Sequence, residues 1–176
     1  CPFFGPVPKP LSTGSMSEKN MAGLMEGKRG LIMGVANNRS IAYGIAKALH
    51  AQGAELAFTY QGEALHRRVE PIAAEFGSDL VLPCDVADAD AMDAVFNVLK
   101  SNWGKLDFLV HAIGYSNKEE LDGRYIDTTP GNFQLTMNIS VYSLTALAKR
   151  AEPLMTDGGS ILTLTYYGAE KVLPHY

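Results

Sequence analysis

The stretch Gly30-Leu-Ile-Met-Gly34-Val-Ala-Asn-Asn-Arg-Ser40-Ile-Ala-Tyr-Gly44-Ile-Ala-Lys-Ala-Leu-His50 decides how the rest of the chain is read. Its first five residues are a continuous apolar run closed by glycine. That is the pattern of a strand buried on both faces of a parallel sheet. The second half repeats apolar residues at helical spacing, with Ile41, Ile45, Ala48 and Leu49 as the expected inner face. Ser40 is placed to cap the helix start and Gly53 to end it. A strand that passes through a glycine turn into a helix is also where a dinucleotide's pyrophosphate can sit. Glycine lets backbone approach the ligand, and the first N–H groups and dipole of the helix hold the charge. Gly34, Ser40 and Ile41 would meet the pyrophosphate, and Gly44 would allow close helix–sheet packing. The turn is Gly-x5-Ser-x-Ala, not Gly-x-Gly-x-x-Gly, with a serine hydroxyl in place of the second glycine. Alone it fits a capped helix after a strand as well as it fits a cofactor turn.

Outward from this unit the alternation continues. Strands are expected at Glu55–Tyr60, Asp79–Pro83, Leu106–Ile113 and Ser160–Thr165. Helices are expected over Glu63–Phe76, from Asp88 through Leu99, and from Gly131 to about Ala151, where Pro153 bends or ends the last. Strand–helix alternation with short joins means right-handed crossovers. The fold class is therefore α/β, a Rossmann-type open parallel sheet with helices on both faces. Ligands in such sheets bind beyond the carboxyl ends of the strands. Gly34, Tyr60-Gln61, Asp85-Val86, Ile113-Gly114 and Tyr166 occupy those ends.

Composition agrees with one such domain. The chain has 176 residues, 47% apolar and 19% charged, enough for a sizeable core. Fifteen Lys and Arg against nineteen Asp and Glu give a net charge of −4, a poor field for nucleic acid. No apolar stretch approaches the roughly 20 residues of a bilayer span, so no membrane partner is expected. Cys1 and Cys84 are the only cysteines. They cannot make a disulfide framework or a four-thiolate zinc site, which points to a reducing, cytoplasmic compartment. Residues 1–20 are set apart as a leader, either a tag or disordered tail before a start at Met16 or a native proline-rich arm that binds a partner. Residues 21–176 are expected to form one domain, a Rossmann-type dinucleotide-binding domain.

Several chemical templates fail. Gly23-Leu-Met-Glu-Gly27-Lys28 has the wrong glycine spacing for a phosphate loop and precedes a strand. There is no Gly-x-Ser-x-Gly elbow. His50, His66, His111 and His175 lack metal-ligand spacing, so no metal is expected. His111, inside an apolar strand, reads as a hydrogen-bonded structural histidine, and Cys84 as packing. Gln61 can bond a ribose hydroxyl but brings no charge to exclude a 2′-phosphate. Arg67 and Arg68 behind it read as solvated, which favours NAD over NADP weakly. Asp85 suits the adenine amino group, with the Val86 backbone beside it; equally it suits a turn before the Asp88 helix. Tyr166 and Tyr176, ten residues apart, are either packing residues or two O–H donors aimed at one carbonyl oxygen.

Taken together, these residues resemble the enoyl-acyl-carrier-protein (ACP) reductases of bacterial type II fatty-acid synthesis, the divergent branch of the short-chain dehydrogenase/reductases. The resemblance rests on Gly34-x5-Ser40-Ile41-Ala42-Tyr-Gly44, Ala54-Glu-Leu-Ala-Phe-Thr-Tyr-Gln61, Cys84-Asp85-Val86 and His111-Ala-Ile113-Gly114. It continues through Leu121-Asp-Gly123 and Leu162-Thr-Leu-Thr-Tyr166 to Pro174-His-Tyr176. It implies NADH-dependent reduction of the trans-2 double bond of an acyl-ACP thioester. By position it puts Gly34, Ser40 and Ile41 at the pyrophosphate, Gln61 at the adenosine end, and Asp85 and Val86 at the adenine. Ile113 and Gly114 fall on the nicotinamide side, Ser116 at a substrate-side backbone contact, and Tyr166 and Tyr176 at the two active-site tyrosines. It further implies a homotetramer, in keeping with the apolar excess of Phe133, Met137, Val141 and Leu144 on the 131–151 helix. The family places a lysine seven residues beyond its second tyrosine, and the sequence stops at Tyr176, so the domain is expected to be cut short there. The alternatives are another short-chain reductase acting on a carbonyl and a dinucleotide-binding fragment without turnover.

Overall fold

The computed structural model describes residues 23–172. Strands β1 (Arg29–Met33), β2 (Glu55–Tyr60), β3 (Val81–Pro83), β4 (Phe108–His111) and β5 (Ser160–Thr163) alternate with helices. The helices are α1 (Ile41–His50), α2 (Gly62–Glu75), α3 (Ala89–Trp103) and, between β4 and β5, α4 (Pro130–Met137) and α5 (Ser143–Ala151). The strands pair in parallel in the order β3-β2-β1-β4-β5. The chain thus winds outward through β2 and β3, then crosses back to lay β4 on the other side of β1. Register sets Ile32 level with Phe58 and Val110, and Met33 level with His111.

Successive side chains of a strand point to opposite faces, and both faces are covered. Leu31, Met33, Ala57 and Leu109 join Val95, Leu99 and Leu147 in one cluster under α3 and α5. Ile32, Leu56, Phe58, Phe108 and Val110 join Ala46, Val69 and Phe76 in the other, under α1 and α2. Asp107 binds the start of β1 to the start of β4: its carboxylate accepts from Arg29 N–H at 3.0 Å and from Lys28 Nζ at 3.1 Å. Burial works against its charge, but these donors and Lys105 outweigh it and hold the carboxyl below its usual range.

Two expectations about helices are corrected. On α1, Ile45 and Leu49 pack against the sheet as expected, but beside the fully buried Ala42 and Ala46, while Ile41 is 66% exposed and Ala48 is also at the surface. Gly44 lies on the outer side, with open space where a Cβ would be, so the alanines permit the close approach to the sheet. The 131–151 helix is divided by a π-helical turn, Asn138–Tyr142. Ser143 Oγ–H donates to Ile139 C=O at 2.6 Å, so a side chain serves a carbonyl inside the widened turn. Other boundaries hold closely. Asp88 caps α3 by accepting from Asp90 N–H and Ala91 N–H, and Pro153 sits in the 3₁₀ turn that ends α5. Strands β4 and β5 stop two residues early, at His111 and Thr163, leaving 112–115 and 164–166 as segments beyond the sheet.

Candidate functional site

A cavity of about 630 Å³ opens at the carboxyl ends of the strands. Its walls come from four strand ends: Gly34–Ala36, Thr59–Gln61, Cys84–Ala87 and Ala112–Tyr115, with Leu135 and Ile139 beneath. It lies where the sheet order reverses between β1 and β4, the place an open α/β sheet offers a ligand. Its size falls within the few hundred to about 1,000 Å³ of ordinary cofactor and ligand pockets.

Glycine at 34 answers a demand of the fold itself. Its φ is +90°, and a Cβ there would stand 2.0 Å from the Ala112 carbonyl oxygen. Asn37 then builds the turn. Its Oδ1 accepts from Arg39 N–H at 2.8 Å, and its carbonyl accepts from both Ser40 N–H at 3.1 Å and Ser40 Oγ–H at 2.6 Å. The expected helix cap by Ser40 is therefore not made, because its hydroxyl turns back to Asn37 and makes no bond to the helix start. The first N–H groups of α1, at Ile41 and Ala42, lack an acceptor one turn back, as at any helix start.

At the other end of the cavity Asp85 serves two partners. Oδ1 accepts from Ala87 N–H at 2.9 Å, and Oδ2 accepts from Gln61 Nε2–H at 2.9 Å. The turn-forming role and a place on the cavity wall are thus both realised. Tyr60 stacks on His66 with ring centroids 4.4 Å apart. Burial pushes the Cys84 thiol up to about 11, with the Asp85 charge adding to it, so it is a packing group and no nucleophile at neutral pH.

The wall formed by 112–117 is held from below. Ser140 Oγ accepts from Tyr115 N–H at 3.0 Å and donates to Tyr115 C=O at 3.1 Å. Asn132, 4% exposed, accepts from Asn117 N–H at 3.0 Å and donates to Ser116 Oγ at 3.2 Å; Thr136 Oγ1 also donates to Ser116 Oγ, at 2.9 Å. His111 is buried under this wall. Ser143 spends its one hydroxyl hydrogen on Ile139, so it accepts from His111 Nε2–H at 2.8 Å. Nδ1 then accepts from Thr163 Oγ1–H at 3.1 Å. Burial holds the His111 pKa below the usual histidine value, and the ring is a neutral structural group.

Of the residues singled out from sequence, Gly34, Gln61, Asp85, Val86, Ile113 and Gly114 share the cavity wall. Ser40 and Ile41 stand outside that wall, in the turn and the first helical turn beside it. Ser116 lines a second cavity of about 330 Å³ over α4. Tyr166 follows β5 and lines neither; its ring lies against Gly168, where a Cβ would come within 2.4 Å. Tyr176 and His175 fall outside the described residues. Asn37, Tyr115, Asn132 and Ser140 were not foreseen. Asn37 had a signal, since asparagine readily folds its side chain onto the backbone two residues on. The other three are joined across 15 to 25 residues and carry no local mark. Among the described residues no cluster of His, Cys, Asp or Glu is arranged to hold a metal ion.

A family model described as enoyl-(acyl carrier protein) reductase matches residues 34–176. The chain belongs to the enoyl-(acyl carrier protein) reductase family. Individual reductases of that family agree. An NADH enoyl-[acyl-carrier-protein] reductase of Rhizobium meliloti is 65% identical over 155 residues, 88% of this chain and 57% of the relative. The Aquifex aeolicus reductase is 56% identical over 155 residues, with the same shares. The crystal structure of the Anaplasma phagocytophilum reductase, a complex with NAD, superposes with a TM-score of 0.85 at 60% identity over 88% of this chain and 59% of that one. The chain thus spans somewhat under three fifths of the length of these family members.

Proposed function

We propose that the protein is an NADH-dependent enoyl-ACP reductase that reduces the trans-2 double bond of acyl-ACP thioesters, acting in the cytoplasm as a homotetramer. The observation that carries this is the cavity at the strand-order reversal, which brings Gly34, Gln61, Asp85, Val86, Ile113 and Gly114 together. These residues suit a dinucleotide. Gly34 and the start of α1 offer an unobstructed backbone and free N–H groups to a pyrophosphate. Asp85 can accept from an adenine amino group beside Val86. Ile113 and Gly114 present a wall, braced by Ser140 and Asn132, on the nicotinamide side.

NADH, when bound, supplies the hydride for the double bond. The chain's own part is orientation and charge stabilisation. Negative charge gathers on the thioester oxygen, and a phenol at neutral pH remains a hydrogen-bond donor to it. Tyr176 holds that role by its place in the family pattern, with Tyr166 shaping the substrate side and Ser116 fixing a backbone contact. Phe133 (47% exposed), Met137 (41%) and Val141 (52%) form an apolar stripe along α4 and the π turn, the surface offered to a second copy.

Steady-state kinetics on the full-length protein tests the reading. Crotonyl thioester should be reduced with NADH, and a ketoacyl thioester should not. Tyr176→Phe should lower kcat by about 10²–10³, the usual loss for one preorganised donor, and leave NADH affinity unchanged. Turnover of the ketoacyl thioester alone would assign the protein to carbonyl reduction instead.

A further inference from the structure

Rossmann sites that select NAD over NADP place an acid at the end of the second strand, where it meets the ribose 2′-hydroxyl. Here that position holds neutral Gln61. The acid stands one strand further out, as Asp85 after β3, and reaches Gln61 through the 2.9 Å bond to Nε2. A carboxylate only accepts, so the amide must turn its N–H₂ toward Asp85. Its carbonyl Oε1 takes no hydrogen bond from the described residues and is left at the cavity rim. The Ala87 N–H on Oδ1 fixes the carboxylate, which leaves the amide a single orientation.

We propose that Asp85 is a specificity-determining positioning residue: it locks the Gln61 amide so that an acceptor faces the adenosine ribose. This rests on the dinucleotide reading of the cavity. A 2′-hydroxyl can donate to that oxygen. A 2′-phosphate has only acceptors to offer, and meets a carbonyl oxygen backed by a negative charge. Arg67 is engaged by Glu63 at 3.1 Å on the outer side of α2. Arg39, exposed in the Asn37 turn, is the competing candidate for a phosphate contact.

The test is equilibrium titration of the full-length protein with NADH and with NADPH, read as the ratio of the two Kd values. Asp85→Asn keeps the shape and can still accept from Ala87 N–H, but offers Gln61 a donor. The amide should then reverse and turn N–H₂ toward the ribose. The preference for NADH should fall about 5- to 10-fold, one hydrogen bond's worth, even where both affinities drop together through the adenine contact. Asp85→Ala should also relax the ratio. In a Gln61→Ala background either change at Asp85 should move the ratio much less, by the loss of the carboxylate charge alone, because Asp85 acts chiefly through the amide; melting temperatures check that the variants fold. An unchanged ratio in Asp85→Asn, or an equal effect with and without Gln61, overturns the proposal. So does a parent that favours NADPH and loses that preference in Arg39→Ala. A parent that binds neither nucleotide overturns the dinucleotide reading itself.

Discussion

Ser40 shows how one hydroxyl can have two claims on it. Its hydrogen goes to Asn37 C=O at 2.6 Å, so it braces the turn; a bound pyrophosphate would compete for the same hydrogen. Ser40→Val should weaken NADH binding by about 1.5–3 kcal/mol, the range for a hydrogen bond to a charged group, with a smaller loss of stability. Fluorescence titration checks it, and an unchanged Kd would confine Ser40 to the turn. His111 makes a pH prediction. Its folded-state pKa is lowered by burial, and the unfolded value is near 6.5. Below that value the unfolded chain binds a proton that the native ring refuses, so stability falls as pH falls. The slope approaches about 1.4 kcal/mol per pH unit and ends once the pH passes the lowered native value. Urea unfolding of the parent and of His111→Gln from pH 8 to 5 should show the gap between them narrowing on acidification. A gap independent of pH would mean that the ring titrates alike in both states.

At the scale of elements, α1 and the 131–151 helix show what sequence can and cannot place. Existence and order were legible in both, because the apolar periods and the flanking Gly53 and Pro153 are local signals. The inner face of α1 was half legible. Ile45 and Leu49 were expected there and pack on the sheet, while Ala42 and Ala46, which carry little apolar signal of their own, supply the closest approach. The π turn was hidden, since the Ser143 contacts with Ile139 and His111 that accompany it leave no local mark in the sequence. Its consequence for the site is Ser140, aimed at Tyr115. The exposed stripe of Phe133, Met137 and Val141 carries the assembly prediction. A charge in an apolar subunit contact is left desolvated, so Val141→Glu should lower the sedimenting mass of the full-length protein from tetramer to a smaller species, with the fold retained by circular dichroism. A parent that sediments as a monomer at micromolar concentration would contradict the expectation.

For the whole molecule, the parallel sheet covered by helices on both faces was readable, because alternating strands and helices admit few topologies; the strand order itself came from the structure. Seven cavity residues, Tyr60 among them, followed from the rule about strand ends, which failed at Tyr166. What escaped were the polar contacts that brace the cavity, since each depends on segments far apart in the chain. The reversal also governs how the molecule can assemble itself. β1 meets β2 across 26 residues but meets the segment entering β4 across 78. Closing the longer loop costs about 1 kcal/mol more by the logarithmic rule, and the intervening helices must not block the way. One flank of the central strand therefore stays unpaired until synthesis has passed β4, at His111, and its Leu-Ile-Met run is a ready partner for other strands meanwhile. In pulse-labelled hydrogen exchange during refolding, amides of β2 should gain protection before those of β4. Simultaneous protection would mean that collapse draws in both neighbours at once.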